Sequence, residues 1–150
     1  MPRMIFVNLP VTDLQRSTAF YEAVGGQKNP QFSDDTASCI VFSDTIHAML
    51  LTHDKYRQFT SKPIADAHQV SQVLFCLTAD SRAEVDDIVE RAVGAGGVAD
   101  PSPIDEYDFM YGRSFEDPDG HAWGVNWMNM AALGDQNAAE AAAATVTVQA

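Results

Sequence analysis

The feature that most constrains how this chain can fold is an internal repeat. VTDLQRSTAFYEAVGG, beginning at Val11, returns loosely as TADSRAEVDDIVERAVGAGG, beginning at Thr78, roughly 67 residues further on. Each copy follows an apolar, strand-like run and closes on Gly-Gly. Whatever the first half builds, the second is therefore expected to build again.

In the second copy Asp80 or Ser81 suits a helix N-cap, and Ser81 and Glu84 have capping-box spacing. Val85, Ile88, Val89, Ala92 and Val93 then recur with helical period, and Gly94, Gly96 and Gly97 are stop signals. In the first copy Thr12 or Asp13 caps a helix with apolar positions Leu14, Phe20, Tyr21 and Val24, ended by Gly25 and Gly26. Phe20 and Tyr21 are expected to pack helix on sheet.

After each helix the period changes to that of strands. Residues 38–43 and 46–52 form a hairpin around Asp44-Thr45, and residues 108–115 and 121–128 form another around Asp117-Pro118-Asp119-Gly120. In the second turn, Pro and Gly suit a type I geometry. Weaker strands are expected near Gln27 to Phe32 and near Val98. The working topology is α+β, βαβββ twice, with residues 53–69 as a linker between halves at about 1–61 and 69–130. From Ala131 to residue 150 an Ala-rich, low-complexity tail lacks an amphipathic face and reads as a mobile extension, helical at most in part, with a segment crossing to a partner subunit as the alternative.

Composition narrows the class of function. A net charge of −12 with no Lys/Arg cluster repels phosphate backbones and anionic lipid, so nucleic acid and membrane partners are disfavoured. The start MPRMIFVNLPV lacks the organisation of a secretory signal, and a cytoplasmic protein is expected. Cys39 and Cys76 sit inside apolar runs, without a C-x-x-C pattern, and are expected to be free, buried thiols.

The opening NLPVTDLQRSTAFYEAVGG and the closing FEDPDGHAWGVNW, on two βαβββ halves, resemble the vicinal oxygen chelate superfamily of glyoxalase, bleomycin-resistance and extradiol dioxygenase proteins. Within it the chain is most similar to the branch of lactoylglutathione lyase-like proteins. The likeness runs from about Ile5 to Met128. It implies a single domain over residues 1–130, with curled mixed sheets around a cavity, commonly completed as a homodimer. It also implies a divalent metal held by two His and two Glu, one from the first and last strand of each half, with open positions for substrate oxygens.

The implied ligand positions fall on Phe6, Leu50, Gln72 and Gly124. None carries an imidazole or a carboxylate, so no metal cofactor is expected. His47, His53, His68 and His121 form no H-x-H or H-x-x-x-H pair that could replace the set, and rim or surface places are expected for them.

Strand alternation extends the four positions to cavity neighbours: Asn8 beside Phe6, Thr52 beside Leu50, Leu74 beside Gln72, and Asn126 beside Gly124. Tyr111 and Arg113 add an aromatic ring and a guanidinium. Arg113 could take a ligand carboxylate, or pair with Glu116 or Asp117 at its own hairpin. Two readings remain. One is a metal-free protein that binds a small organic molecule in the cavity; the other is a metal-dependent lyase-like or dioxygenase-like enzyme with a non-standard ligand set.

Overall fold

The computed structural model describes residues 2–131, and within them the repeated sequence folds twice in the same order. The first half runs β1 (Ile5–Val11), α1 (Leu14–Ala23), β2 (Gln27–Asn29), a single 3₁₀ turn (Pro30–Phe32), β3 (Ala37–Val41) and β4 (Ile46–Thr52). The linker opens with a short helix, α2 (His53–Tyr56). The second half runs β5 (Leu74–Thr78), α3 (Arg82–Gly94), β6 (Val98–Ala99), β7 (Asp105–Tyr107), β8 (Met110–Glu116) and β9 (Ala122–Met128). The Ala-rich tail expected from Ala131 onward lies, beyond Ala131 itself, outside the described residues.

The helix caps are those the residue spacing predicts. Asp13 is extended (φ −140°, ψ 103°) and its side chain accepts from the Arg16 N–H, which starts α1. Ser81 Oγ accepts from the Glu84 N–H at 3.0 Å and Glu84 reaches back to the Asp80 N–H, which starts α3. The buried stripe of α3 is Val85, Val89 and Ala92; Val93, expected among the apolar positions, stands on the solvent side at 49% exposure.

The strands form two mixed sheets that do not close into a barrel, ordered β1-β4-β3-β2 and β5-β9-β8-β6. In each, the first and last strands of the half pair in parallel, β1 with β4 and β5 with β9, and the other neighbours are antiparallel. The second half departs from βαβββ by one strand, the short β7, which pairs with β8.

Register decides which side chains share a face. Leu9 lies opposite Leu50 and Val7 opposite Ala48, on the side where α1 packs. Phe6 lies opposite His47 and Asn8 opposite Met49, on the other side. In the second sheet Trp123, Val125 and Phe115 belong to the face packed against the core, while Gly124 and Asn126 alternate onto the open face.

One core serves both halves. Phe20 and Tyr21 of α1 are fully buried together with Leu50, Val85, Phe115, Trp123 and Val125. The Trp123 ring lies 5.8 Å from Tyr21 and 5.5 Å from Phe42 in the first half, and 4.5 Å from Phe75 in its own. At about 1.5–3 kcal/mol for each large apolar side chain taken out of water, this shared cluster is what binds the repeats into one unit.

Candidate functional site

The D-P-D-G-H turn is heavily bonded, both within itself and to the other half. Asp117 and Gly120 close it through the Gly120 N–H to the Asp117 carbonyl at 3.0 Å. Asp117 Oδ1 also accepts from the Asp119 and His121 N–H groups at 2.9 and 2.8 Å.

From there the turn reaches across to the first half. Asp117 Oδ2 accepts from the Tyr21 hydroxyl at 2.5 Å, and that hydroxyl accepts from Trp123 Nε1 at 3.0 Å. Asp119 accepts from the Thr12 N–H, the Thr12 hydroxyl and the Ser17 hydroxyl at 2.9, 2.7 and 3.2 Å. His121 Nε2 is 2.8 Å from the Pro10 carbonyl, which can only accept, so the imidazole carries its proton on Nε2.

Burial sets the electrostatics here. Desolvation raises the Asp117 carboxyl above the usual carboxylate range, with His121 the main opposing influence. Tyr21 is pushed well above an ordinary phenol, first by burial and then by the charge of Asp117. The turn is thus a lock between the halves. His121, expected at a rim or surface, is buried because it belongs to that lock.

The open faces hold part of the expected cavity. Leu74, Gly124 and Asn126 share one face of the second sheet and line a cavity of about 180 Å³ with Cys76, Ser102 and Asp105. Gln72 and Leu74 line an adjoining cavity of about 250 Å³ beside the linker. In the floor of the first, a Cβ on Gly112 would collide with Asn126 Oδ1, so the glycine is what admits the Asn126 side chain. Cys76, expected to be buried, is exposed on this face.

On the first sheet Phe6 and Asn8 share a face with Met49 and the buried Leu51. Phe6 stacks on His47, with ring centroids 4.3 Å apart and planes at 12°. That stack leaves His47 buried rather than at a rim, with Nδ1 3.3 Å from the Ile5 carbonyl. Phe6 lines neither of the two cavities on the second half.

Four of the expected cavity residues point elsewhere. Leu50 is fully buried in the core, and Thr52 alternates onto the same side. A residue sharing Phe6's face must stand one place earlier or later, at Met49 or Leu51.

Tyr111 and Arg113 lie on the α3 side of the second sheet. The Tyr111 hydroxyl donates to Asp86 at 2.6 Å, and Arg113 Nη1 donates to the same carboxylate at 3.0 Å. The rest of the guanidinium forks onto Asp100 at 3.0 and 2.6 Å. Arg113 is thus committed to two carboxylates of its own half, neither of them Glu116 or Asp117. Nothing in the residue pattern marks Ser102 and Asp105 as cavity residues, because the short, acidic β7 and the loop before it carry no strand-like apolar period; Gly112, on β8, has no side chain to mark its face.

The implied metal does not fit these residues. Phe6, Met49, Leu51 and Gly124 offer no imidazole or carboxylate, and Gln72 offers only a neutral amide. Among the described residues no three His, Cys, Asp or Glu side chains converge as a metal set. Partial desolvation against the sheet raises the Cys76 thiol even though the residue is exposed, which keeps it protonated.

Two half-sheets with a parallel first and last strand, joined through a D-P-D-G-H turn, define the class of the protein. The chain belongs to the Glyoxalase/Bleomycin resistance protein/Dioxygenase superfamily, whose family profile matches residues 3–125.

Among solved structures it is similar to the hypothetical protein SA1046 from S. aureus, at 24% identity and TM-score 0.70 over 85% of this chain and 94% of that one. A glyoxalase/bleomycin resistance protein/dioxygenase family enzyme from Burkholderia phytofirmans PsJN is similar at 21% identity and TM-score 0.68, covering 85% and 99%. TnmS3, an antibiotic binding protein from Streptomyces sp. CB03234, is similar at 18% identity and TM-score 0.59, covering 85% and 97%. At such identities the likeness is one of fold. No curated protein matches the chain. Among the described residues no helix is long and apolar enough to cross a membrane.

Proposed function

We propose that this protein binds a small organic molecule on the open faces of its sheets, without the superfamily's metal. The observation that carries the reading is the chemistry of the positions where that metal would be held: a stacked Phe6, the apolar Met49 or Leu51 of β4, a neutral Gln72 and a bare Gly124. A lactoylglutathione lyase or a dioxygenase would need metal-held substrate oxygens, and these side chains supply no ligands for the ion. What they supply is apolar surface with neutral hydrogen-bonding groups, Asn8 on the first sheet, Asn126 on the second and Gln72 in the segment just before β5. That combination selects a ligand by shape and a few hydrogen bonds. The antibiotic binding described for TnmS3 accords with such a use of the fold.

The same reading calls for a homodimer. Phe6 and Leu74 are 45% and 73% exposed, and Val70 and Val73 beside Leu74 are 53% and 47% exposed. A second copy laid over these surfaces buries them and completes the binding face from two chains. Light scattering that finds only monomer at micromolar concentration removes this part of the proposal.

Elemental analysis and a thermal-shift panel of small aromatic compounds test the central claim. Less than a tenth of an equivalent of Ni, Zn, Fe or Mn is expected, and about one per chain overturns the reading. A true ligand at 100 times its dissociation constant stabilises by about 2.7 kcal/mol, or about 5–10 °C in Tm for a chain of this size. Gly124→Leu, which fills the floor of the open-face cavity, is expected to abolish that shift.

A further inference from the structure

On the helix side the two halves leave a groove of about 450 Å³ between the β3–β4 hairpin and α3. That volume lies within the range of small-molecule sites. Its floor draws on both repeats, with Phe42 and Ile46 from the first and Leu77, Ile88 and Phe115 from the second. Phe42, Leu77 and Ile88 pack against the core but remain partly exposed, and Ile46 is 39% exposed. Leu77 lies opposite Val125 and so faces away from Gly124, which puts this groove on the other side of the sheet from the open-face cavity, the two meeting only at Cys76 of the edge strand β5.

The rim is charged unevenly. Arg91 is held by Asp87, Nε to Oδ2 at 2.9 Å, and each cancels the other. Glu84 also lines the groove and makes no ion pair among the described residues; its one side-chain bond is from the Asp80 N–H to Oε2 at 2.5 Å. An uncompensated carboxylate thus stands at the edge of an apolar floor, in a chain whose net charge of −12 draws cations toward it.

We propose that this groove is a second small-molecule site, separate from the open faces, for a compound with an apolar body and one ammonium group. The body lies on Phe42, Ile46, Leu77 and Ile88, and the ammonium pairs with Glu84. A carboxylate on the same body finds no free cation along the groove, since Arg91 is engaged.

The test is a titration of the full-length protein with phenethylammonium, followed by amide NMR, with 2-phenylethanol and phenylacetate as the neutral and anionic counterparts. Saturable shifts are expected at Phe42, Leu77 and Ile88, in the order ammonium, alcohol, carboxylate. Glu84→Gln keeps an oxygen for the Asp80 N–H and is expected to weaken the ammonium about two- to fivefold while leaving the alcohol unchanged. Ile46→Lys, at a partly exposed strand position, is expected to reverse the preference between ammonium and carboxylate. The proposal is overturned by absence of saturable binding at millimolar ammonium or by equal affinities for ammonium and alcohol. It is equally overturned by shifts centred on Gly124 and Asn126, or by an unchanged Glu84→Gln affinity.

Discussion

Replacing Tyr21 by Phe removes one oxygen from the middle of the lock between the halves. That oxygen donates to Asp117 at 2.5 Å and accepts from Trp123 Nε1 at 3.0 Å, and all three side chains are buried. A hydrogen bond to a charged group contributes about 1.5–3 kcal/mol, and a buried donor left without an acceptor costs about 1–3 kcal/mol. Part of this is offset because the variant no longer buries a hydroxyl, so a net loss of about 2–4 kcal/mol is expected. For a chain of this length that lowers Tm by about 5–15 °C.

Urea unfolding is the direct assay. The midpoint should fall while the slope m stays constant, since the surface exposed on unfolding is unchanged. Adding Trp123→Phe should cost less in the Tyr21→Phe background than in the wild type, because the donor it deletes is already unpaired there. A loss under about 0.5 kcal/mol for Tyr21→Phe, or strictly additive losses in the cycle, would refute the claim that these bonds hold the halves together.

Three further outcomes follow from the same geometry. Folded Tyr21 keeps its proton to a higher pH than an unfolded tyrosine, so its contribution is whole below about pH 10 and is lost as pH rises beyond that; alkaline unfolding followed by phenolate absorbance should be shallower in Tyr21→Phe. Gly120 has φ +89° and a Cβ there would meet the His68 nitrogen at 2.7 Å and the Ala67 carbonyl carbon at 2.8 Å, so Gly120→Ala should cost about 2 kcal/mol or more and speed proteolysis of the linker. A Cβ on Gly124 meets nothing closer than 3.5 Å, so Gly124→Ala should change stability in urea by less than about 0.5 kcal/mol, whereas Gly112→Ala, whose Cβ meets Asn126 Oδ1, should displace the Asn126 side chain and show as shifted Asn126 side-chain amide signals in NMR.

The repeat, the caps and the hairpins are legible in the sequence because each depends on residues a few places apart: Asp13 on Arg16, Ser81 on Glu84, Asp117 on Gly120. The faces are harder. Counting from a resemblance puts Leu50 on the cavity side, and a one-residue error in a strand exchanges core for open face. His121 reads as a turn residue at the rim because its partner, the Pro10 carbonyl, is 111 residues away. Arg113 has acidic neighbours in sequence, yet its fork is filled by Asp86 and Asp100, brought near by α3 and by the loop after β6. Short-range capping is written locally, whereas long-range pairing appears only once the chain is folded.

The lock also bears on how the molecule comes apart. Its two hairpins are not used alike: the one around Asp44-Thr45 is closed by its own Ser43 and Thr45, while the one around Asp117–Gly120 is tied to Thr12, Ser17 and Tyr21 of the other repeat. If either half unfolded by itself, the remaining half would be left with Tyr21 or Trp123 bare and with buried polar groups unmatched. Neither repeat is therefore a free-standing unit. Calorimetric and van't Hoff enthalpies should coincide in a single transition, and a chain cut in the linker should hold its shape only while both pieces stay together.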